Sequence, residues 1–121
     1  MDWRSLTQVK EVGIVVEKSC PVLGQDLRKI FDVYWYLSGK DVIPASLPAE
    51  LDTKFNLQKP LSIKLNEVLS SVYLTSSPFK MNTAHRTNDI DAILHIINSA
   101  KSYIKFSVMD YSPTFLYGRS K

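Results

Sequence analysis

The sequence predicts an α/β domain, and three observations carry that prediction. VKEVGIVVE at Val9–Glu17 is β-branched and almost continuously apolar, the pattern of a strand covered on both faces. A helical apolar spacing follows at once. Further on, a second helical stretch runs into an alternating one, Tyr103–Met109. The order strand, helix, long loop, strand pair, helix, strand is that of an α/β or α+β chain, without internal repeats.

Ser19-Cys20-Pro21 breaks the first strand, and Pro21 suits the first turn of a helix because it needs no N–H partner there. Leu23, Leu27, Ile30, Phe31 and Tyr34 then share a helical face opposite Gln25, Arg28, Lys29 and Asp32. The helix is expected to stop at Ser38-Gly39-Lys40, with Gly39 as the residue beyond its end. Asp41–Pro60, punctuated by Pro44, Pro48 and Pro60, reads as a long connection crossing the surface. Leu61–Leu65 and Ser71–Ser76 are expected as a strand pair with Leu61, Ile63, Leu65, Val72 and Leu74 facing inward. Met81–Thr87 is a loop. Thr87 or Asn88 caps a helix whose first turn carries Asp89 and Asp91, where carboxylates favour the positive helix end. Its inner face would be Ile90, Ile93, Leu94 and Ile97 with the stem of Lys101. Pro113 ends the last strand.

With 121 residues, 45% of them apolar and 22% charged, the composition is that of an ordinary globular domain, not a disordered or fibrous chain. The net charge of +3 suits an anionic ligand without demanding one. A single cysteine, Cys20, excludes a disulfide within this sequence, and there is no N-x-S/T acceptor. Asp2, Arg4 and Lys10 interrupt any signal-peptide core, and no apolar run reaches the length of a membrane span. No metal-ligand spacing, Gly-rich phosphate loop, G-x-S-x-G elbow or C-x-x-C is present, and so no metal or cofactor is expected. His85 lies in a loop, and His95 falls four residues after Asp91 as a surface pair on a helix. Tyr34-Trp35-Tyr36 offers rings for stacking bases, or for a core. Read from the residues alone, no catalytic set is complete.

Four stretches, MDWRSLTQVKE, DLRKIFDVYWYL, RTNDIDAIL and VMDYSPT, resemble the phospholipase D superfamily. Within it they are closest to the animal phospholipase D-like endolysosomal exonucleases and their poxvirus relatives. The resemblance implies a partial α-β-α sandwich. Residues 1–40 would end a first half-domain, residues 41–60 would connect, and residues 61–121 would begin a second. In that family G-S-x-N immediately precedes a D-x-R-S segment, the first H-x-K lies further upstream, and a second H-x-K lies further on. On this reading the chain carries neither block and is an internal fragment, inactive alone. The alternative is a non-catalytic remnant acting through binding, by self-association or with an intact relative.

The chemistry implied by the resemblance is metal-free phosphodiester hydrolysis through a phospho-His intermediate, on single-stranded nucleic acid or phospholipid. A carboxylate on the strand after the first block orients the nucleophilic His in the family. Glu11 matches that position, although an ordinary strand-edge charge also fits. Asp2, Arg4 and Ser5 would shape the turn after the missing block. Asp110 and Tyr111 would approach the substrate cleft, where many relatives carry Asn in place of Asp110. Relatives also tend to have a cysteine near Asn82. They are membrane-anchored in the endolysosomal pathway or viral, and the compartment of this chain is left open. Both outer strands are expected to lack partners in the isolated chain, which favours self-association.

Overall fold

A computed structural model describes residue 7, residues 13–16 and residues 20–108. Its central element is helix α1, Pro21–Ser38. Pro21 sits at its start as expected, and Cys20 precedes it as the N-cap without a side-chain cap bond. Gly39 closes the helix through its N–H to the Leu37 carbonyl, at a φ of −99° that any residue can adopt.

The buried stripe of α1 is Leu23, Asp26, Val33 and Leu37, with Ile30 half-buried. These positions recur at three- and four-residue steps along one face. The expected face was rotated away from this one. Leu27 is 55% exposed and Phe31 58%. The Phe31 ring stacks at 6.1 Å on Trp35, which is also exposed. The displacement has a physical cause. The segments that pack on α1 approach from the side of Asp26, where its polar partners bind.

The connection at residues 41–60 does not simply cross the surface. After Pro48 it forms a 3-10 turn, Ala49–Leu51, that lies against α1. The Lys29 ammonium donates to the Asp52 carbonyl beyond that turn. A two-stranded antiparallel hairpin follows, β1 Leu61–Leu65 and β2 Val68–Val72, with Leu61 opposite Val72 and Leu65 opposite Val68. The second strand was expected at Ser71–Ser76. It begins earlier because Asn66-Glu67 makes a two-residue turn, with φ of 48° and 67°. Positive φ at both central residues is the mark of a turn whose twist matches the strands.

A second 3-10 turn, Phe79–Met81, leads through a loop to helix α2, Asp89–Ser99, with Asn88 as N-cap. A parallel bridge between Ser76 and Asn88 sets the start of α2 beside the end of the hairpin segment. Asn82 holds this corner together. Its amide Nδ2 donates to the Ser76 carbonyl at 2.9 Å and to Asn88 Oδ1 at 2.7 Å. From α1, the Tyr34 hydroxyl donates to the Ser77 carbonyl at 2.9 Å. On α2 only Ala92 is buried; Ile90, Ile93 and Leu94 are exposed and Ile97 half-buried. The inner face expected for this helix is thus largely uncovered by the described residues.

The architecture is a mixed one of helices and a small antiparallel sheet, in keeping with part of an α/β domain. Residues 13–16 and 103–108, expected within strands, join no ladder among the described residues. Ile14 is 91% exposed. Among the described residues no helix is long and apolar enough to cross a membrane.

The hairpin turn yields a test. Glu67 holds a left-handed conformation that costs a side-chain-bearing residue about 1–2 kcal/mol, whereas glycine adopts it freely. The Lys64–Glu67 contact at 3.7 Å is exposed and adds little. Glu67→Gly should raise the urea midpoint modestly, and Glu67→Val should lower it. A lower midpoint for the glycine variant would contradict this turn geometry.

Candidate functional site

The described polar centre grows from two short segments, 52–53 and 85–86, which approach each other over α1. Within each, one residue points inward and its neighbour outward. Thr53 and Arg86 turn in toward Asp26, while Asp52 and His85 turn out toward each other.

Inside, Arg86 Nη1 donates to Asp26 Oδ2 at 2.6 Å and Nη2 to Asp26 Oδ1 at 3.2 Å, a two-pronged pairing that fits the planar guanidinium. Nη2 also reaches the Asp26 backbone carbonyl, and Nη1 the Leu74 carbonyl, both at 3.3 Å. Thr53 Oγ1 donates to Asp26 Oδ1 at 2.5 Å. Both charged side chains are almost fully buried, at 3% and 4% exposure. Charges so far from water persist only when paired and hydrogen-bonded, and here every carboxylate oxygen is engaged.

Outside, Asp52 Oδ1 accepts the Thr53 N–H at 2.8 Å and the His85 N–H at 3.1 Å. Asp52 Oδ2 lies 2.5 Å from His85 Nδ1. Partial burial pushes the Asp52 carboxyl up, but bonding to the His85 ring, the nearby Thr83 hydroxyl and the His85 and Thr53 N–H groups outweighs it. The net effect holds Asp52 below the ordinary carboxylate value. The buried Thr83 hydroxyl biases Asp52 without making a hydrogen bond of ordinary geometry. A further link, the Leu57 N–H to Thr87 Oγ1 at 2.9 Å, continues the seam between the two segments.

With Nδ1 committed to Asp52, Nε2 is the imidazole nitrogen left to meet a ligand, and the His85 side chain is 69% exposed. It borders two open clefts. One, of about 400 Å³, is walled by Pro44, Leu47, Lys80, Asn82 and Asp52. The other, of about 330 Å³, is walled by Asn56, Gln58, Thr87, Asn88 and Asp91. A carboxylate fixing one nitrogen of an exposed imidazole is an arrangement suited to proton transfer or to hydrogen-bonding an anion. Among the described residues, no three His, Cys, Asp or Glu side chains are grouped to hold a metal.

The site residues expected from the sequence, Asp2, Arg4, Ser5, Glu11, Asp110 and Tyr111, all lie outside the described residues. Cys20 is half-buried. The Asp26–Arg86 and Asp52–His85 pairs were not anticipated. For the first a signal existed: Asp26 follows Leu23 by three residues and precedes Ile30 by four, so a carboxylate stands in the apolar stripe.

The family model described as the PLD-like domain of PLD3 and PLD4 matches residues 1–118. The chain is 47% identical over 115 residues to a 5'-3' exonuclease PLD3 of Xenopus laevis, covering 94% of the chain and 23% of the relative. Against the 5'-3' exonuclease PLD3 of Homo sapiens the identity is 44%, again across 94% of the chain and 23% of the relative. A virion nicking-joining enzyme of Monkeypox virus is 42% identical over 93% of the chain and 26% of its own length. The chain therefore spans about a quarter of these relatives.

The depressed Asp52 carboxyl gives a pH dependence with a definite sign. Its contribution to stability is present above the ordinary carboxylate value, about 3.9, and is lost as pH falls through its lower folded value. Asp52→Asn should lower the melting temperature at pH 7, and the gap from the parent should close below about pH 4. A gap that persists unchanged in acid would contradict this.

Proposed function

Because this chain belongs to the phospholipase D-like family, we propose that it forms part of a phosphodiesterase that hydrolyses single-stranded nucleic acid. The observation that carries the reading is identity of 41–47% to proteins named 5'-3' exonuclease, maintained across nearly the whole chain. The nicking-joining enzyme of the poxvirus favours nucleic acid over phospholipid in the same way. A net charge of +3 suits a polyanionic substrate.

On this reading the chain supplies structure between the two H-x-K blocks of the family, residues 1–40 ending one half-domain and residues 61–121 beginning the next. The nucleophilic His and its acid partner come from those blocks, since neither His85 nor His95 stands in an H-x-K pattern. Glu11 orients the nucleophile by accepting its ring N–H, so that the opposite nitrogen faces phosphorus. Asp2, Arg4 and Ser5 shape the turn behind the first block, and Asp110 and Tyr111 border the substrate. The reaction needs no metal or cofactor.

A second reading, a non-catalytic association module, is favoured by the exposed stripe of Leu27, Phe31 and Trp35 on α1. The two are separated by assaying a single-stranded oligonucleotide with the 121-residue chain and with the longest natural reading frame that contains it. The chain alone should give no turnover, and the longer protein should be active. In the longer protein, Glu11→Gln should lower kcat by about a hundredfold or more with little change in KM. Hydrolysis by the pure 121-residue chain that survives Glu11→Ala would overturn the proposal.

A further inference from the structure

We propose that His85, backed by Asp52 and accompanied by Lys80, is a phosphate-contacting site that guides a single strand across this face of the protein. The proposal rests on the nucleic-acid reading above. It concerns binding alone, and no bond is made or broken at His85.

The first support is preorganisation. The Asp52 carboxylate engages both the ring Nδ1 and the backbone N–H of His85, so the imidazole is oriented before a ligand arrives. The buried Asp26–Arg86–Thr53 cluster fixes the chain neighbours of both residues, which keeps the outward pair in place. A second support is position. His85 lines both clefts, so a backbone passing from one to the other passes the imidazole. The third is charge. Lys80 lines the larger cleft, and the Lys29 ammonium sits on the Asp52 carbonyl. Arg86 is neutralised by Asp26, while Asp91 borders the smaller cleft, where it accepts from Asn88 Nδ2 at 2.8 Å. In the larger cleft the Asp52 carboxylate offsets a charge on the ring, so Lys80 supplies the net positive charge there, and the doubly protonated ring donates from Nε2 to a phosphodiester oxygen.

The probe is a fluorescently labelled oligothymidylate, with anisotropy measured on the 121-residue chain at pH 5.5 and pH 7.5. Affinity should be about five- to tenfold higher at pH 5.5 than at pH 7.5, because with Nδ1 bound to Asp52 the ring donates from Nε2 only when it carries both protons. His85→Gln, whose amide can still donate to Asp52, should abolish that pH dependence. Lys80→Ala should weaken binding at both pH values and reduce the slope of log affinity against log salt by about 0.7. Thermal melts of both variants show whether the fold is kept. A wild-type chain that does not bind, or one that binds equally with and without these substitutions, overturns the site. Such a failure leaves hydrolysis by the longer protein intact. Absence of that hydrolysis with pH-dependent binding retained overturns only the enzymatic reading.

Discussion

Asp26 places a carboxylate in the middle of the apolar stripe of α1, and the rest of the described structure is arranged to satisfy it. Removing a charge from water costs several kcal/mol unless strong partners replace the lost hydration. Arg86 comes from sixty positions away to supply two guanidinium bonds, and Thr53 supplies a third. These partners lie in segments that hold almost no regular structure of their own. The segment after the 3-10 turn at Ala49–Leu51 and the loop before α2 meet that charge through Thr53 and Arg86. Only four apolar residues, Leu23, Val33, Leu37 and Ala92, are buried among the described residues, so the polar cluster carries a large share of the specificity of this packing.

The same contacts link packing to surface chemistry. Because 53 and 86 are anchored inward, 52 and 85 must face outward and meet. The outer pair inherits rigidity from the inner one, which an exposed ion pair seldom has by itself. A histidine in a loop thereby becomes an oriented group at the junction of two clefts. The placement of this outward pair therefore runs through Asp26, although Asp26 itself is buried.

Much of the secondary structure was legible because it depends on local signals. Pro21 marked the start of α1, Asn88 with Asp89 and Asp91 marked that of α2, and alternation marked β1. The second strand was misplaced because Asn66-Glu67 lacks the glycine that usually announces such a turn. The face of α1 was rotated because counting apolar residues favoured Leu27 and Phe31, whereas the packing is dictated by a charge. The 41–60 connection looked featureless for a related reason: its role is to present Thr53 and Asp52 to groups distant in sequence. The family was legible from MDWRSLTQVKE, DLRKIFDVYWYL, RTNDIDAIL and VMDYSPT together, and the second and third of these stretches contain Asp26 and Arg86. The residues expected to touch the reaction, Glu11 and Asp110 among them, lie outside the described residues.

The central claim is that the buried Asp26–Arg86 pair holds the 52–53 and 85–86 segments on α1. A double-mutant cycle with Asp26→Leu, Arg86→Met and the two combined, followed by urea unfolding, tests it most directly. Each single change strands one buried charge and should cost about 3–5 kcal/mol, while the double variant should recover much of that loss. Small losses below about 1 kcal/mol that simply add would show that the pair does not organise this fold.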